Sequence, residues 1–251
     1  MEGTYYKEWR AVLDRAMEFK VYGHGGVPVL ALPARGGRFY DWENNGMPEA
    51  AARLLHEGKM QLFCADSIDA ESLLAGHETP RRRAEMQEKY FVYLTAELAP
   101  RIAALNAPEA KKPPLIWCAG VDTGAYQAVQ CRLRRPGVFA GAVGLSGLYD
   151  MSRFLGGCED DLVLRSSPLA ALRKNGICNK NLLAKAEENT LLLCVGQGGY
   201  EGDALADTQA LADTLKETGL PCHLEVWGGD VSHDWYWWGK EFGMFAERLF
   251  G

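Results

Sequence analysis

Apolar and polar positions along the chain recur with two different periods, which separates predicted strands from predicted helices. Residues 17–22 alternate apolar with polar side chains, as is typical of a strand with one buried face. Residues 27–32 form a continuous apolar run, which predicts a strand buried on both faces. From Arg81 to Leu105 the apolar side chains recur about every four residues instead, and this spacing predicts a helix.

Extended to the whole chain, these patterns give short strands separated by helices. The predicted strands cover residues 17–22, 27–32, 60–65, 114–118, 140–146, 190–195 and 222–227. The predicted helices cover about residues 48–57, 81–105, 204–218 and 235–250, with one more directly after Gly124. Residues 151–189 break the rhythm with charges, paired glycines and Pro168, so we expect a small cap-like insertion there. Repeated βα units predict an α/β fold in a single domain over residues 1–251, with a mostly parallel sheet flanked by helices on both faces.

Composition and charge narrow the class of protein without identifying its chemistry. The 251 residues are 47% hydrophobic and 24% charged, and the net charge is −6, with acidic and basic residues interspersed. These values are typical of a soluble globular protein. The one basic cluster, Arg81-Arg82-Arg83, is followed by Glu85 and Glu88, which favours a solvated helix face over a nucleic-acid patch. This charge pattern predicts no nucleic-acid partner. No run of apolar residues is long enough to span a membrane, so we do not expect a membrane as a partner either.

Cysteine usage indicates a reducing compartment. The chain has seven cysteines, an odd number, and none form a CxxC pair. Several lie inside apolar runs, where a thiol behaves as a small hydrophobic group. With no apolar leader at the start of the chain, we expect a cytoplasmic protein. The spacing of cysteines and histidines predicts no metal site, and we expect no cofactor.

The stretch "CAGVDTGAYQAV", residues 118–129, has the layout of a nucleophile elbow. In that motif, G-x-S-x-G joins a strand to a helix, and the two glycines allow a sharp turn. Here Asp122 takes the serine position between Gly120 and Gly124. The N–H of Thr123, at the start of the helix, would point at a developing oxyanion. On local sequence alone, an ordinary helix cap is the favoured interpretation of Asp122.

The glycine-rich loop after the 27–32 strand is a second candidate element. Gly36 and Gly37 offer backbone N–H groups where α/β-hydrolases take their other oxyanion donor. Arg35 and Arg38 flank them and could hold an acidic substrate group. Asp66, directly after the next strand, is a further candidate for lining the site, because ligands of open α/β sheets bind at the carboxyl ends of strands.

Each of the last two predicted strands is followed by a candidate partner of the nucleophile elbow, an acid after the first and a histidine after the second. His233 lies between the final strand and the final helix, where such an enzyme keeps its general base. An acid is expected after the 190–195 strand, where Glu201 and Asp203 are both in range. Asp203 has the competing role of capping the next helix, so we favour Glu201. Trp235 could line the site beside His233, although aromatic residues at a helix start are more often part of the core.

The chain resembles the putative esterases of the α/β-hydrolase superfamily, relatives of esterase D and feruloyl esterases. The resemblance covers residues 15–249 and is carried by "MEFKVYGHGGVPVLALPARGGRFYDWE", "GLSGLYDMSRFL", "CVGQGGYEGD" and "WGGDVSHDWYWW". It implies an α/β-hydrolase fold, with the catalytic histidine at His233, its acid near Glu201 and the oxyanion loop at Gly36-Gly37. It also implies that the nucleophilic serine falls on Asp122. Neither Ser146, which belongs to the family's structural pattern, nor Ser232 can replace it.

An aspartate at the elbow leaves four functions open. A carboxylate that attacked an ester would form a mixed anhydride and expel a poorer leaving group than itself, so ester hydrolysis, if it occurs, needs another role for Asp122. A carboxylate does attack carbon that bears a halide or epoxide oxygen, as in haloalkane dehalogenases and epoxide hydrolases, but those dehalogenases carry tryptophan at the position of Thr123. The remaining alternatives are an inactive small-molecule-binding protein and a structural subunit of a homo-oligomer.

Overall fold

The computed structural model of the protein describes residues 1–156, 160–175, 190–220 and 222–251. Within these ranges, one sheet of eight strands forms the centre of the fold. The strands are β1 (Thr4–Arg10), β2 (Arg15–Tyr22), β3 (Val27–Leu32), β4 (Met60–Ala65), β5 (Ile116–Val121), β6 (Phe139–Leu145), β7 (Leu191–Val195) and β8 (His223–Val226). They lie in the order β1-β2-β4-β3-β5-β6-β7-β8. β2 runs antiparallel to both of its neighbours, and the pairs from β4 to β8 are parallel.

Helices cover the two faces of this sheet. They are α1 (Asp41–Asn44), α2 (Met47–Ala50), α3 (Ala52–His56), α4 (Pro80–Val92), α5 (Ala99–Asn106), α6 (Thr123–Arg134), α7 (Ser152–Leu155), α8 (Asp161–Arg165), α9 (Pro168–Asn175), α10 (Gly202–Glu217) and α11 (Trp235–Phe250). A π-helical segment, Tyr93–Leu98, joins α4 to α5. None of the helices in the described ranges is long and apolar enough to cross a bilayer.

Two apolar clusters, one on each face of the sheet, hold the layers together. The larger contains buried residues of α4, α6 and α10, including Tyr90 and Leu211. The smaller lies under α1 and α11, where Trp42 and Phe242 make an edge-to-face contact with ring centroids 5.0 Å apart. All six residues of β4 are buried, because this strand is covered on both faces. The predicted sheet with helices on both faces is therefore confirmed.

Most predicted boundaries agree with the structure, and the differences have local causes. The strands 27–32 and 60–65 and the helix 235–250 have the predicted limits. β5 starts at Ile116 rather than residue 114, because the prolines before it have no N–H for a ladder. The helix predicted at 48–57 is instead two short helices, α2 and α3. β1 was not predicted, since this edge strand carries polar residues and leaves Trp9 exposed.

The predicted insertion lies only partly within the described residues. Its first part folds as α7, α8 and α9, which pack beside α4 and α10. Residues 157–159 and 176–189, which complete the predicted insertion, lie outside the described residues.

Candidate active site

The turn between β5 and α6 is a sharp elbow with Asp122 at its tip. Asp122 has φ 53° and ψ −120°, a conformation that non-glycine residues rarely adopt. Side chains at the two flanking glycines would prevent this turn. A Cβ at Gly120 would lie 2.1 Å from the carbonyl oxygen of Gly124, and one at Gly124 would lie 2.4 Å from that of Pro33. The alternative of an ordinary helix cap is wrong, because the Asp122 side chain makes no capping hydrogen bond.

Two cationic side chains face the carboxylate of Asp122, which is only 5% exposed. Its Oδ2 lies 3.4 Å from both Nε and Nη2 of Arg35. The same oxygen lies 3.8 Å from Nε2 of His233, an ion-pair distance too long for a hydrogen bond. The elbow carboxylate therefore sits between a guanidinium and an imidazole.

The imidazole is held in place by a chain of hydrogen bonds. Nδ1 of His233 lies 3.2 Å from Oε2 of Glu201, and the other oxygen of that carboxylate accepts a 2.6 Å bond from the Ser146 hydroxyl. Trp238 donates from Nε1 to the same hydroxyl oxygen at 2.9 Å. The backbone N–H of His233 donates to the carbonyl of Gly199 at 3.0 Å. Ser146, which the family resemblance assigns to a structural pattern, thus connects α11 to the acid.

Of the two acids considered after β7, the structure brings Glu201 to His233. Glu201 is 1% exposed. The Asp203 side chain is instead 80% exposed and pairs with Arg153 at 2.9 Å. The competing capping role predicted for Asp203 is wrong, because Asp203 is the second residue of α10 and the N-cap position is taken by Glu201.

These neighbours set the protonation state of His233. Burial on its own lowers the pKa of a histidine, but the interactions with Asp122 and Glu201 outweigh it and raise the pKa of His233 to about 9. The imidazole is therefore protonated at neutral pH, when both ring nitrogens act as donors. A protonated histidine cannot take a proton from a nucleophile.

The glycine loop does not present the N–H groups that were predicted from it. The N–H of Gly36 donates to Oδ2 of Asp69 at 3.1 Å, and that of Gly37 donates to the carbonyl of Ala34 at 2.8 Å. The prediction that these two N–H groups stabilise an oxyanion is therefore incompatible with the structure. Both are already used to shape the turn, in which Gly36 has φ 68°.

Unlike those of Gly36 and Gly37, the backbone N–H groups of Arg35 and Thr123 have no hydrogen-bond acceptor within the described residues. Thr123 is the first residue of α6, where N–H groups have no partner inside the helix. The oxyanion role of Thr123 therefore stays a prediction, and Arg35 is the neighbour of the two glycines whose N–H is not used within the loop.

Asp69 is a residue of this region that sequence reasoning missed. It is 1% exposed, and its Oδ2 accepts bonds from the Gly36 N–H and, at 3.0 Å, from the Thr123 hydroxyl. It therefore connects the loop after β3 to the elbow helix. Burial raises the pKa of Asp69, and the nearby charge of Asp122 adds to the rise. Its position just beyond the carboxyl end of β4 was the available signal.

Arg38 and Asp66, two of the predicted lining residues, form a separate cluster in which Asp66 is buried and Arg38 is partly exposed. Nε of Arg38 lies 2.6 Å from Oδ1 of Asp66, which also accepts a 3.1 Å bond from the N–H of Phe39. A second contact, 2.7 Å long, joins Arg38 to Glu18 on β2. These bonds anchor the loop to the sheet and go to one another and to Glu18 rather than to Asp122 or His233, so the lining role of Arg38 and Asp66 stays a prediction.

Trp235 also lies away from the elbow. It packs edge-to-face on Trp238, with centroids 5.1 Å apart, and lines a surface groove between α2 and α11 together with Ala50 and Met244. The expectation that it lines the site beside His233 is therefore not met. Within the described ranges, no group of three or more potential ligands could hold a metal ion.

The sheet order, the elbow, the acid after β7 and the histidine after β8 together define an α/β-hydrolase fold. Solved structures agree with this assignment. MPT51 of Mycobacterium tuberculosis matches with a TM-score of 0.73 at 17% identity, covering 100% of this chain and 98% of that one. A ferulic acid esterase matches with a TM-score of 0.72 at 17% identity, with coverage of 100% and 98%. An S-formylglutathione hydrolase from Agrobacterium tumefaciens matches with a TM-score of 0.71 at 14% identity, with coverage of 99% and 95%.

A sequence comparison assigns the chain to a protein family. A sequence model of the family described as Putative esterase matches residues 11–247, nearly the whole chain. The chain belongs to that family, as its resemblance indicated. No curated protein matches it.

Proposed function

We propose that this member of the esterase family binds a small molecule at the elbow without hydrolysing an ester there. The observation that carries the proposal is the ion-paired carboxylate of Asp122 at the position of the nucleophile, between Arg35 and His233. Membership of the family and the hydrolase neighbours support a hydrolase ancestry for the site.

Two physical arguments oppose ester hydrolysis through Asp122. Attack on an ester carbonyl by a carboxylate would give a mixed anhydride, an uphill exchange of leaving groups. The base that should activate water or a hydroxyl, His233, already holds a proton at neutral pH because its pKa is raised to about 9. Both the nucleophile and the base are thus unsuited to the ester route.

The remainder of the arrangement fits a site that lost only its nucleophile. Glu201 contacts the imidazole, and the N–H groups of Arg35 and Thr123 have no acceptor among the described residues. These are the parts that a serine at position 122 would need. We therefore expect the Asp122→Ser variant to gain ester hydrolysis.

The test compares hydrolysis of p-nitrophenyl acetate by the wild-type protein and by Asp122→Ser, Asp122→Asn and Asp122→Ser/His233→Ala variants. We expect turnover above background only for Asp122→Ser, and its loss when His233 is also replaced. Asp122→Asn is the matched control for removal of the charge without a nucleophile. Wild-type turnover that disappears in Asp122→Asn would overturn the proposal.

A second candidate is displacement at saturated carbon by Asp122. It is favoured by one observation: Oδ1 of Asp122 is buried and has no hydrogen-bond partner among the described residues. In this reaction Oδ1 would form a bond to the carbon while the bond from that carbon to the halide or epoxide oxygen breaks, so that the halide leaves as its anion or the epoxide oxygen takes the proton of His233. Water would then cleave the alkyl-enzyme ester and release an alcohol and the free carboxylate. A single turnover in heavy-oxygen water should label Asp122, and an unlabelled Asp122 after product formation excludes this route.

A further inference from the structure

Two buried polar atoms at the elbow have no partner among the described residues. They are Oδ1 of Asp122 and Nε2 of His233. The side chains that carry them are 7% and 14% exposed, and Nε2 lies 3.8 Å from the other oxygen of the same carboxylate. A buried polar atom without a hydrogen bond has lost its hydration without compensation, so a ligand that satisfies both atoms gains affinity.

The two atoms have opposite hydrogen-bonding character. An ionised carboxylate oxygen accepts only. Since Nδ1 of His233 faces Glu201 and the ring is protonated, its Nε2 donates only. A group that satisfies both atoms must therefore donate a hydrogen bond and accept one within a few ångströms.

The common head groups of small molecules differ in this respect. An ester carbonyl only accepts, and it leaves Asp122 unpaired. A carboxylate also only accepts, and it is repelled by Asp122. An ammonium group only donates, and it is repelled by His233 and Arg35. A hydroxyl group donates through its hydrogen and accepts through its lone pairs, so it fits both atoms.

We propose that the elbow site binds the hydroxyl group of an alcohol, which donates to Oδ1 of Asp122 and accepts from Nε2 of His233. The inference rests on the proposed binding function, because it requires that Asp122 stay a carboxylate and not attack the ligand. An ester can still accept from Nε2 of His233 but cannot donate to Asp122, so the site selects the alcohol over its ester.

Apolar groups beside the site indicate the kind of alcohol. The guanidinium of Arg35 lies 5.5 Å from the centre of the Phe154 ring. Leu74 is 43% exposed, and its Cδ1 would lie 3.2 Å from a Cβ at Gly36. An aryl or alkyl body could pack against these two side chains while its hydroxyl reaches Asp122. Benzyl alcohol is therefore a suitable probe.

The preference for a hydroxyl depends on the charge of His233. The titratable groups that face its ring are Asp122 and Glu201, with Arg35 on the far side of Asp122 and Glu241 of α11 as a further titratable group, which burial keeps protonated up to about pH 8. When the ring loses its proton, Nε2 becomes an acceptor and competes with Asp122 for the single hydroxyl hydrogen. Affinity for the alcohol should hold between about pH 6 and 8 and fall as the pH passes 9.

The experiment uses four probes with one phenyl ring and different head groups. Dissociation constants of benzyl alcohol, benzylamine, benzoate and methyl benzoate are measured by ligand-observed NMR titration of the full chain at pH 7. We expect benzyl alcohol to bind at least about tenfold more tightly than each of the others. Asp122→Asn and His233→Gln should each remove most of that preference. Asp203→Asn, which makes the same chemical change at an exposed carboxylate, should leave it unchanged.

Each outcome decides a different statement. Equal binding of all four probes, no binding of the alcohol, or an unchanged preference in Asp122→Asn would overturn the hydroxyl assignment. If Asp122→Ser gains esterase activity while the wild type does not prefer the alcohol, the proposed loss of hydrolysis stands and only the ligand class fails. If the wild type hydrolyses p-nitrophenyl acetate through Asp122, the proposed function fails, whatever the probes show.

Discussion

At the scale of single residues, Asp122 determines the protonation of His233. In a serine-type site the histidine faces a neutral hydroxyl, so it can be free of its proton near pH 7. Here it faces a carboxylate at 3.8 Å on one side and the carboxylate of Glu201 at 3.2 Å on the other. Two anions stabilise the imidazolium against the cost of burying a charge, and this inverts the function of the ring from base to donor.

Replacing the elbow carboxylate should therefore lower the pKa of His233. We expect the Asp122→Asn variant to titrate His233 below the value of about 9 of the wild type, because one of its two anionic neighbours is gone while burial still lowers the pKa. The measurement is the NMR titration of the ring carbon and nitrogen signals. Asp203→Asn serves as control. A His233 pKa that does not change in Asp122→Asn would mean that Glu201 alone holds the proton.

Asp69 allows a second test at this scale. Both of its hydrogen bonds go to one oxygen, Oδ2, so an asparagine can keep the Gly36 N–H and the Thr123 hydroxyl bonded through its carbonyl oxygen. We expect hydrogen exchange at the Gly36 amide to be much faster in Asp69→Ala and nearly unchanged in Asp69→Asn. Equal acceleration in both variants would show that the charge of Asp69, not its geometry, fixes the loop.

At the scale of elements, the turn between β5 and α6 depends on its two glycines. We expect Gly120→Ala and Gly124→Ala each to destabilise the fold by about 3 kcal/mol or more, because the new Cβ would overlap backbone atoms that cannot move independently. Gly202→Ala is the matched control. It lies at the start of α10 with no atom within 4 Å of the new Cβ, so it should be neutral or slightly stabilising. Urea unfolding measures all three, and an elbow variant as stable as Gly202→Ala would contradict this account.

The same elements show which features sequence could predict. Buried strands such as β3 and β4 and the amphipathic helix α11 were predicted with their observed limits, because burial on both faces or on one helix face leaves a clear period. The rule that ligand groups follow the carboxyl ends of strands brought together Asp122, Glu201 and His233.

The errors arose where side chains pair across the fold. Nothing in the local sequence distinguishes Asp66, which binds Arg38, from Asp69, which binds the site loop, because both follow β4. In the same way, a glycine-rich loop predicts a turn, but whether the N–H of Gly36 is free depends on a residue 33 positions away. Such pairings are decided by the packing of elements and leave no period in the sequence.

At the scale of the whole molecule, two buried groups retain protons that the unfolded chain would release. One is His233, discussed above. The other is Glu241 on α11, which is 0% exposed and whose carboxylate oxygens both lack a hydrogen-bond partner within the described residues. Burial raises the pKa of Glu241 to about 8, and the charges of Glu201 and Glu225 add to the rise. Both groups therefore bind protons more tightly in the folded state.

This difference fixes the direction in which stability depends on pH. A group with a raised pKa binds more protons folded than unfolded, so stability falls as pH rises from its unfolded to its folded pKa. For Glu241 that window runs from about pH 4.5 to about 8, and for His233 from about 6.5 to about 9. We expect the free energy of unfolding, measured by urea denaturation, to be lower at pH 9 than at pH 6 by a few kcal/mol, at about 1.4 kcal/mol per unit of pKa difference before any relaxation of the site.

Two variants separate the contributions. Glu241→Gln should flatten the decline between pH 4.5 and 8 and be more stable than the wild type at pH 9, while the decline from His233 remains. Adding Asp122→Asn should reduce the decline that comes from His233, because a lower pKa in the folded state narrows the pH range over which the folded protein retains this proton. If Glu241→Gln declines as steeply as the wild type below pH 8, the carboxyl group of Glu241 is already ionised in the folded protein, and the charge in the core must be compensated by movement of α11.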